Sequence, residues 1–258
     1  MNIFKNMIIK LGTSSLTQGT GSLCRRFMLG LIQQIVALQT KGIQCILVSS
    51  GAVATGRSLL CQSHPKPVLA SVGQVKLMQI WSELFSLFNL QVGQILLTQS
   101  DFSSSKKGAT RQAIEDLLSN GIIPILNEND TTATKGDRIG NNDTLAALTA
   151  TLIDADLVVL LTDQEGLYTA NPQLDSSAKL IPIVHQIDES LLSTVKGTSI
   201  LGTGGMKTKL EAAKLALAAG IPMAIAHSCR PNVLIDLAEG IHIGTLFKEK
   251  SCIRKSEI

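Results

Sequence analysis

The chain has 258 residues, 45% hydrophobic but only 3% aromatic, with a formal net charge of +3. That length suits one large α/β domain, or two lobes sharing a sheet, with a sizeable core; so few aromatics make the core aliphatic, as in parallel strands covered by helices. The small, diffuse charge leaves no footprint for nucleic acid, no apolar stretch reaches membrane-spanning length, and the five cysteines, widely spaced and without a C-x-x-C pair, read as free thiols of a reducing compartment. The opening MNIFKNMIIKLG lacks the apolar core and small-residue cleavage site of a secretion signal, so the expected location is the cytoplasm.

The first strand is predicted at Met7 to Leu11, followed by Gly12-Thr13-Ser14-Ser15 as a glycine and hydroxyl turn. Lys10 then lies at the carboxyl end of a strand, where open α/β sheets gather their ligands. The competing reading is an edge-strand lysine that snorkels to solvent. Helical spacing of Met28, Leu31, Ile32, Ile35 and Leu38 predicts a helix over Arg26 to Lys41, ended by Gly42. The strand Gln44 to Val48 runs into Ser49-Ser50-Gly51-Ala52, small residues that let backbone N–H groups approach an anion. Pro65 and Pro67 mark Ser58 to Pro67 as a loop. A long helical pattern, Val68 to Phe88 with a break expected near Gly73, precedes a strand at Val92 to Leu97 and a helix at Arg111 to Ser119.

Ile122 to Leu126 is an apolar run of strand length ending in Asn127-Glu128-Asn129-Asp130. One loop later Gly140-Asn141-Asn142-Asp143 leads into an alanine-rich helix, Leu145 to Ile153, with Asn142 or Asp143 as its cap. Turn and cap chemistry would account for either cluster taken alone. Strands alternating with helices to this point predict a largely parallel sheet with right-handed crossovers.

Leu157 to Leu161 reads as a fully buried strand ending in Thr162 and Asp163, after which Gln164-Glu165-Gly166 starts a hairpin or exposed loop through Asn171-Pro172. A short amphipathic stretch is expected at Glu189 to Val195. Gly202-Thr203-Gly204-Gly205-Met206-Lys207-Thr208-Lys209 then opens a helix with apolar positions Leu210, Ala213, Leu217 and Ala218. A glycine-rich loop at a helix start offers free N–H donors to phosphate, and lysines in the first turn oppose the helix dipole, which an anionic ligand would explain. The spacing matches neither the P-loop nor the dinucleotide fingerprint. A strand at Met223 to Ala226, a helix Asn232 to Ala238 with Pro231 at its first position, a last edge strand at Gly244 to Phe247 and a charged tail, Lys248 to Ile258, complete the chain. The four histidines, His64, His185, His227 and His242, have no ligand-like spacing, so no protein-held metal is expected.

Polar groups at the ends of several apolar strands imply one long cleft along the carboxyl edge of the sheet. Two lysines with a carboxylate, and no histidine, cysteine or serine triad, fit phosphoryl transfer, in which positioning and charge stabilisation supply the catalysis. The segments IIKLGTSSL, ILVSSGAVATG, VGQVKLMQIW, PILNEND, GNNDTLAAL, LLTDQEGLYTANP and LGTGGMKTKLEAA together resemble the glutamate 5-kinase branch of the amino-acid kinase family, over about Met7 to Phe247.

That resemblance implies an α/β fold, a three-layer αβα sandwich around a mainly parallel eight-stranded sheet, forming one domain over 1–258. An N-terminal lobe, about 1–153, would bind the amino acid and a C-terminal lobe, about 154–250, would bind ATP. The implied reaction is phosphorylation of the side-chain carboxylate of L-glutamate by ATP with Mg²⁺, the metal being held mainly by the ATP phosphates, as the first step of proline biosynthesis. Lys10 and Lys209 would stabilise the transferring phosphoryl group and Asp143 would hold the lysines. Ser50, Asn127, Asp130, Asn141 and Asn142 would bind the substrate. Thr162, Asp163, Thr203, Gly204, Gly205, Met206, Lys207, Thr208 and Lys209, with Lys10, would bind ATP. A carboxylate acceptor is already ionised near neutral pH, so a missing histidine base is expected. A homo-oligomer and proline as a feedback inhibitor are further family associations. Many members carry aspartate where this chain has Asn141, and many have a C-terminal PUA module that is not expected here. Two rival readings are a sibling kinase acting on N-acetylglutamate, aspartate, carbamate or UMP, and an idle amino-acid sensor on the same fold.

Overall fold

The computed structural model describes residues 4–60, 63–172, 174–189, 191 and 205–250. Its strands are β1 (Asn6–Leu11), β2 (Gln44–Ser49), β3 (Val92–Leu97), β4 (Ile123–Glu128), β5 (Leu157–Thr162), β6 (Ile183–Val184), β7 (Met223–His227) and β8 (Thr245–Phe247). They form one eight-stranded sheet in the order β3-β4-β2-β1-β5-β7-β8-β6. Every pair from β3 to β7 is parallel; β8 runs antiparallel to β7, and β6 runs parallel to β8.

The helices are α1 (Thr13–Thr17), α2 (Arg25–Thr40), α3 (Ala52–Leu59), α4 (Lys66–Ser86), α5 (Lys107–Ser119), α6 (Asn142–Ile153), α7 (Met206–Ala218) and α8 (Val233–Ala238). Successive strand residues face opposite sides of a sheet, and two cores result. Met7, Ile9 and Leu11 pack with α2, α4 and α8 on one face, whereas Ile8, Ile46 and Val48 pack with α5, α6 and α7 on the other. The architecture is therefore the expected three-layer αβα sandwich. Lys10 shares its face with Ile8, towards α6 and α7, and β1 lies between β2 and β5. It is not an edge-strand lysine.

Several expectations need correction. The helix around Gly73 does not break: α4 runs unbroken from Lys66 to Ser86. Gly73 instead marks a close helix crossing, since a Cβ there would lie 1.8 Å from the Ala52 carbonyl oxygen, and one at Gly56 would lie 1.9 Å from that of Leu69. Only two glycines let α3 and α4 approach so closely. Helix α3 itself takes in Ser58 and Leu59, and α4 takes in Lys66 and Pro67, so the predicted loop is shorter than Ser58 to Pro67. Asn141, not Asn142 or Asp143, caps α6, its side chain accepting from the Thr144 backbone N–H at 2.8 Å.

Helix α8 begins at Val233 with Asn232 as its N-cap, so Pro231 lies outside it. β8 is not the edge strand: the two-residue β6 flanks it. Glu165 to Pro172 is largely irregular, tied by an antiparallel bridge between Tyr168 and Leu180. Of the stretch Glu189 to Val195, residues 190 and 192–195 lie outside the described residues, as does the tail from 251.

Candidate active site

The carboxyl ends of β1, β2, β4 and β5 open into a cleft of about 1050 Å³ whose walls include Lys10, Gly12, Ser50, Asn127, Asp143 and Lys209. A single drug-sized ligand site spans roughly 300–1,000 Å³, so this cleft has room for two small substrates. At its floor three charges from distant parts of the chain converge. Lys10 Nζ lies 2.7 Å from Asp143 Oδ1, and Lys209 Nζ lies 3.3 Å from Asp143 Oδ2. Thr208 Oγ1 donates to the same Oδ2 at 2.8 Å.

All three charged residues are buried: Asp143 is 0% exposed, Lys209 5% and Lys10 6%. Backbone geometry brings them together. Lys10 projects from the central strand, Asp143 sits in the first turn of α6, where a carboxylate favours the helix dipole, and Lys209 lies near the start of α7. Burial by itself would raise the Asp143 pKa, but the Lys10 and Lys209 ammoniums and hydrogen bonds from Lys10 and Thr208 hold it below the usual carboxylate value. Burial lowers the Lys209 pKa, against the pull of Asp143 and with a further push from Lys10. Two lysines on one aspartate leave a formal excess of one positive charge, in a place where charge is costly. Such a floor is suited to a polyanion.

Beside it lies a hydrogen-bonded group of amides. Asn142 Nδ2 donates to Ser50 Oγ and to Asn127 Oδ1, both at 2.8 Å. Asn127 Nδ2 donates to Gln74 Oε1 at 3.0 Å, and Glu128 Oε1 accepts from the Gly140 backbone N–H at 3.0 Å, closing the loop that precedes α6 onto β4. At the cleft wall Lys66 Nζ lies 2.7 Å from Asp130 Oδ1.

A model of the amino acid kinase family matches residues 5–227 of the chain. The chain belongs to the amino acid kinase family. It is 43% identical over 253 residues to the glutamate 5-kinase of Haemophilus influenzae (strain PittGG), covering 94% of this chain and 68% of that one. Against the glutamate 5-kinase of Enterobacter sp. (strain 638) it is 44% identical over 258 residues, covering 96% and 70%. Among solved structures, a UMP kinase from Bacillus anthracis aligns with TM-score 0.66 at 16% identity, over 96% of this chain and 97% of that one. A carbamate kinase from Giardia lamblia bound to AMP-PNP aligns with TM-score 0.69 at 17% identity, over 97% and 100%. These two show a shared fold.

In this amino acid kinase the structure brings Lys10, Ser50, Asn127, Asp130, Asn141, Asn142, Asp143, Thr162, Asp163, Gly205, Met206 and Lys209 to one cleft. Thr162 Oγ1 donates to Asp163 Oδ1 at 3.1 Å. Gly205 is the N-cap of α7 and Met206 its first residue. Thr208 turns its hydroxyl to Asp143, and Lys207 faces outward, its side chain 80% exposed and 3.9 Å from Glu211. Thr203 and Gly204 lie outside the described residues. Sequence reasoning does not reach Gln74 or Lys66; a polar residue on the buried face of an otherwise apolar helix is the signal that marks Gln74.

Proposed function

We propose that this chain is a glutamate 5-kinase, transferring the γ-phosphoryl group of ATP to the side-chain carboxylate of L-glutamate to give ADP and L-glutamyl 5-phosphate, the first step of proline biosynthesis. The observation that carries this reading is the buried Lys10–Asp143–Lys209 cluster, one positive charge in excess, at the floor of a cleft with room for two substrates. The relatives that bear the name glutamate 5-kinase, aligned over nearly the whole of this chain, support the choice of acceptor.

In the reaction a carboxylate oxygen of glutamate forms a bond to the γ-phosphorus as the bond from that phosphorus to the β–γ bridging oxygen breaks, and ADP leaves with the electron pair. The acceptor is already ionised, so no side chain has to remove a proton. Lys10 and Lys209 stand as fixed cations for the phosphoryl oxygens, and Asp143 keeps the two ammoniums from repelling each other apart. Fixed donors in a water-poor site act without reorganising during the reaction. Ser50, Asn127, Asn141 and Asn142 hold the amino acid. Asp130 and Lys66 form an adjacent negative and positive pair, the complement of an α-ammonium and α-carboxylate.

The N-terminal lobe, about 1–153, takes the amino acid; the C-terminal lobe, about 154–250, takes ATP through Thr162, Asp163 and the segment 203–209. Among the described residues no group of three His, Cys, Asp or Glu side chains comes together as a metal site, so Mg²⁺ fits as an ion carried by the nucleotide phosphates. Bound there, it would draw charge from the leaving group. The same reading places the enzyme in the cytoplasm as a homo-oligomer, with proline as the inhibitor to assay.

The test is direct. Purified protein with ATP, Mg²⁺ and L-glutamate is expected to release ADP and form an acyl phosphate that hydroxylamine traps as the hydroxamate. Parallel reactions with aspartate, N-acetylglutamate, carbamate and UMP separate the sibling kinases. Glutamate binding without turnover of any acceptor would identify a sensor and overturn the proposal.

A further inference from the structure

We infer that Gln74 is a positioning residue which, through Asn127 and Asn142, holds the Ser50 hydroxyl with its hydrogen free for the cleft, so that this point of the site favours a ligand oxygen that accepts, such as a carboxylate oxygen. The inference rests on the kinase reading above and adds to it a residue and a polarity.

The polarity of the network follows from one group that can only donate. The Glu128 backbone N–H lies 2.9 Å from the Asn127 side chain, so the atom facing it is the acceptor Oδ1. Asn127 Nδ2 must then face Gln74, which therefore presents its oxygen, at 3.0 Å. Asn127 Oδ1 also receives Asn142 Nδ2, at 2.8 Å. A flipped Asn142 would set two oxygens against each other there, and its Oδ1 instead turns back towards the Glu128 N–H at 3.4 Å. The second Asn142 Nδ2 hydrogen goes to Ser50 Oγ, also at 2.8 Å.

Ser50 thus accepts from the protein, and its own hydrogen is left over. Among the described residues no acceptor takes that hydrogen, and Ser50 lines the cleft. That hydrogen is matched only by a ligand atom that accepts, and a donor meeting the remaining Oγ lone pair would leave it unmatched. Carboxylate and phosphate oxygens accept; an ammonium does not.

Gln74 is set at the far end of this chain for a reason visible in its own surroundings. It is 8% exposed, and its Nε2 is buried without a hydrogen-bond partner among the described residues. An apolar side chain would fill the same helix position with no orphaned donor. The unmatched nitrogen is retained together with the one atom that the network uses, the oxygen that receives Asn127. Its neighbour Gly73 permits the close α3–α4 crossing that packs this turn of α4 near β4.

The experiment is a double-mutant cycle read in kcat/KM for L-glutamate, with thermal melts to confirm folding. Gln74→Met keeps the volume and removes the acceptor; it is expected to lower kcat/KM about 10- to 100-fold, the weight of one hydrogen bond to a charged group, while KM for ATP stays within twofold. Gln74→Glu, which still offers an oxygen to Asn127, is expected to restore most of that loss. Ser50→Ala should lower kcat/KM by a similar factor. If Gln74 acts through Ser50, the double variant is no worse than Ser50→Ala alone within about twofold; effects that multiply instead overturn the inference. So does a Gln74→Met enzyme with unchanged kcat/KM. The wild-type rate reports the glutamate reading separately: should another acceptor prove to be the substrate, the same cycle run on that acceptor tests Gln74 equally well.

Discussion

Replacing Asp143 by asparagine removes the single negative charge from a buried cluster whose ammonium groups stand 2.7 and 3.3 Å from its carboxylate. The shape survives, but two cations are then left buried with no counter-charge. Breaking a buried ion pair by deleting one partner costs about 3–5 kcal/mol, and for a chain of this size each kcal/mol moves Tm by about 2–4 °C, so the expected fall is roughly 6–20 °C. The contrast with Lys209→Met is sharper than either value alone. Its environment already lowers the Lys209 pKa, chiefly through burial, so removing that charge should leave Tm unchanged or higher. Melts followed by circular dichroism at pH 7.5 supply the comparison. A pH series adds a sign. The Asp143 pKa lies below its unfolded value, so its stabilisation is fully present above the unfolded pKa of about 3.9 and is lost as pH falls through the lower folded value. The gap between wild type and Asp143→Asn should therefore hold from pH 8 to pH 5 and close only below about pH 4. A variant that melts within 2 °C of wild type at pH 7.5 would refute the account of Asp143 as the counter-charge that the two buried lysines need.

Lys10→Met and Lys209→Met should each lower kcat by about 10²-fold or more, the loss seen when one preorganised donor to a developing charge is removed; steady-state assays at saturating substrates check this. Asn141→Asp keeps the α6 cap and adds a negative charge at a helix start, worth about 0.3–1 kcal/mol, so its melt should rise by a few degrees. The same substitution is expected to lower KM for L-glutamate several-fold with kcat nearly fixed, and an unchanged or higher KM would remove Asn141 from contact with the ammonium. Gly73→Ala places a methyl against the Ala52 carbonyl, and forcing the helices apart should cost about 1–3 kcal/mol or more by thermal melt.

Buried parallel strands are legible in this chain because both faces are covered, leaving nearly unbroken aliphatic runs such as Leu157–Thr162. The polar residues at the strand ends are legible for the converse reason, that they interrupt such runs. What escapes is structure defined by a partner far along the chain. β6 has two residues and exists only through its pairing with β8. Helix α3 has only eight residues and a glycine inside it, kept for α4, so that the stretch is easily read as a turn. Lys207 and Lys209 look equivalent in sequence, yet two residues on a helix are about 200° apart, so only one can face Asp143. Which of them does so depends on how α7 rolls against α6. Gln74 is plain as a residue and silent as a role until β4 is placed beside α4.

The charges at the cleft floor come from β1, α6 and α7, and the hydrogen-bonded polar group comes from α4, the turn after β2, β4 and the start of α6. The two sets meet only at Asn142 and Asp143, neighbours on one helical turn. On the proposed reading, the handling of phosphate and the choice of acceptor are thus nearly separable inheritances. Changes on the acceptor side can accumulate without disturbing the cation cluster, provided that this one dipeptide keeps its place, and a lineage built on such a plan can alter what it phosphorylates while leaving the means of doing so intact.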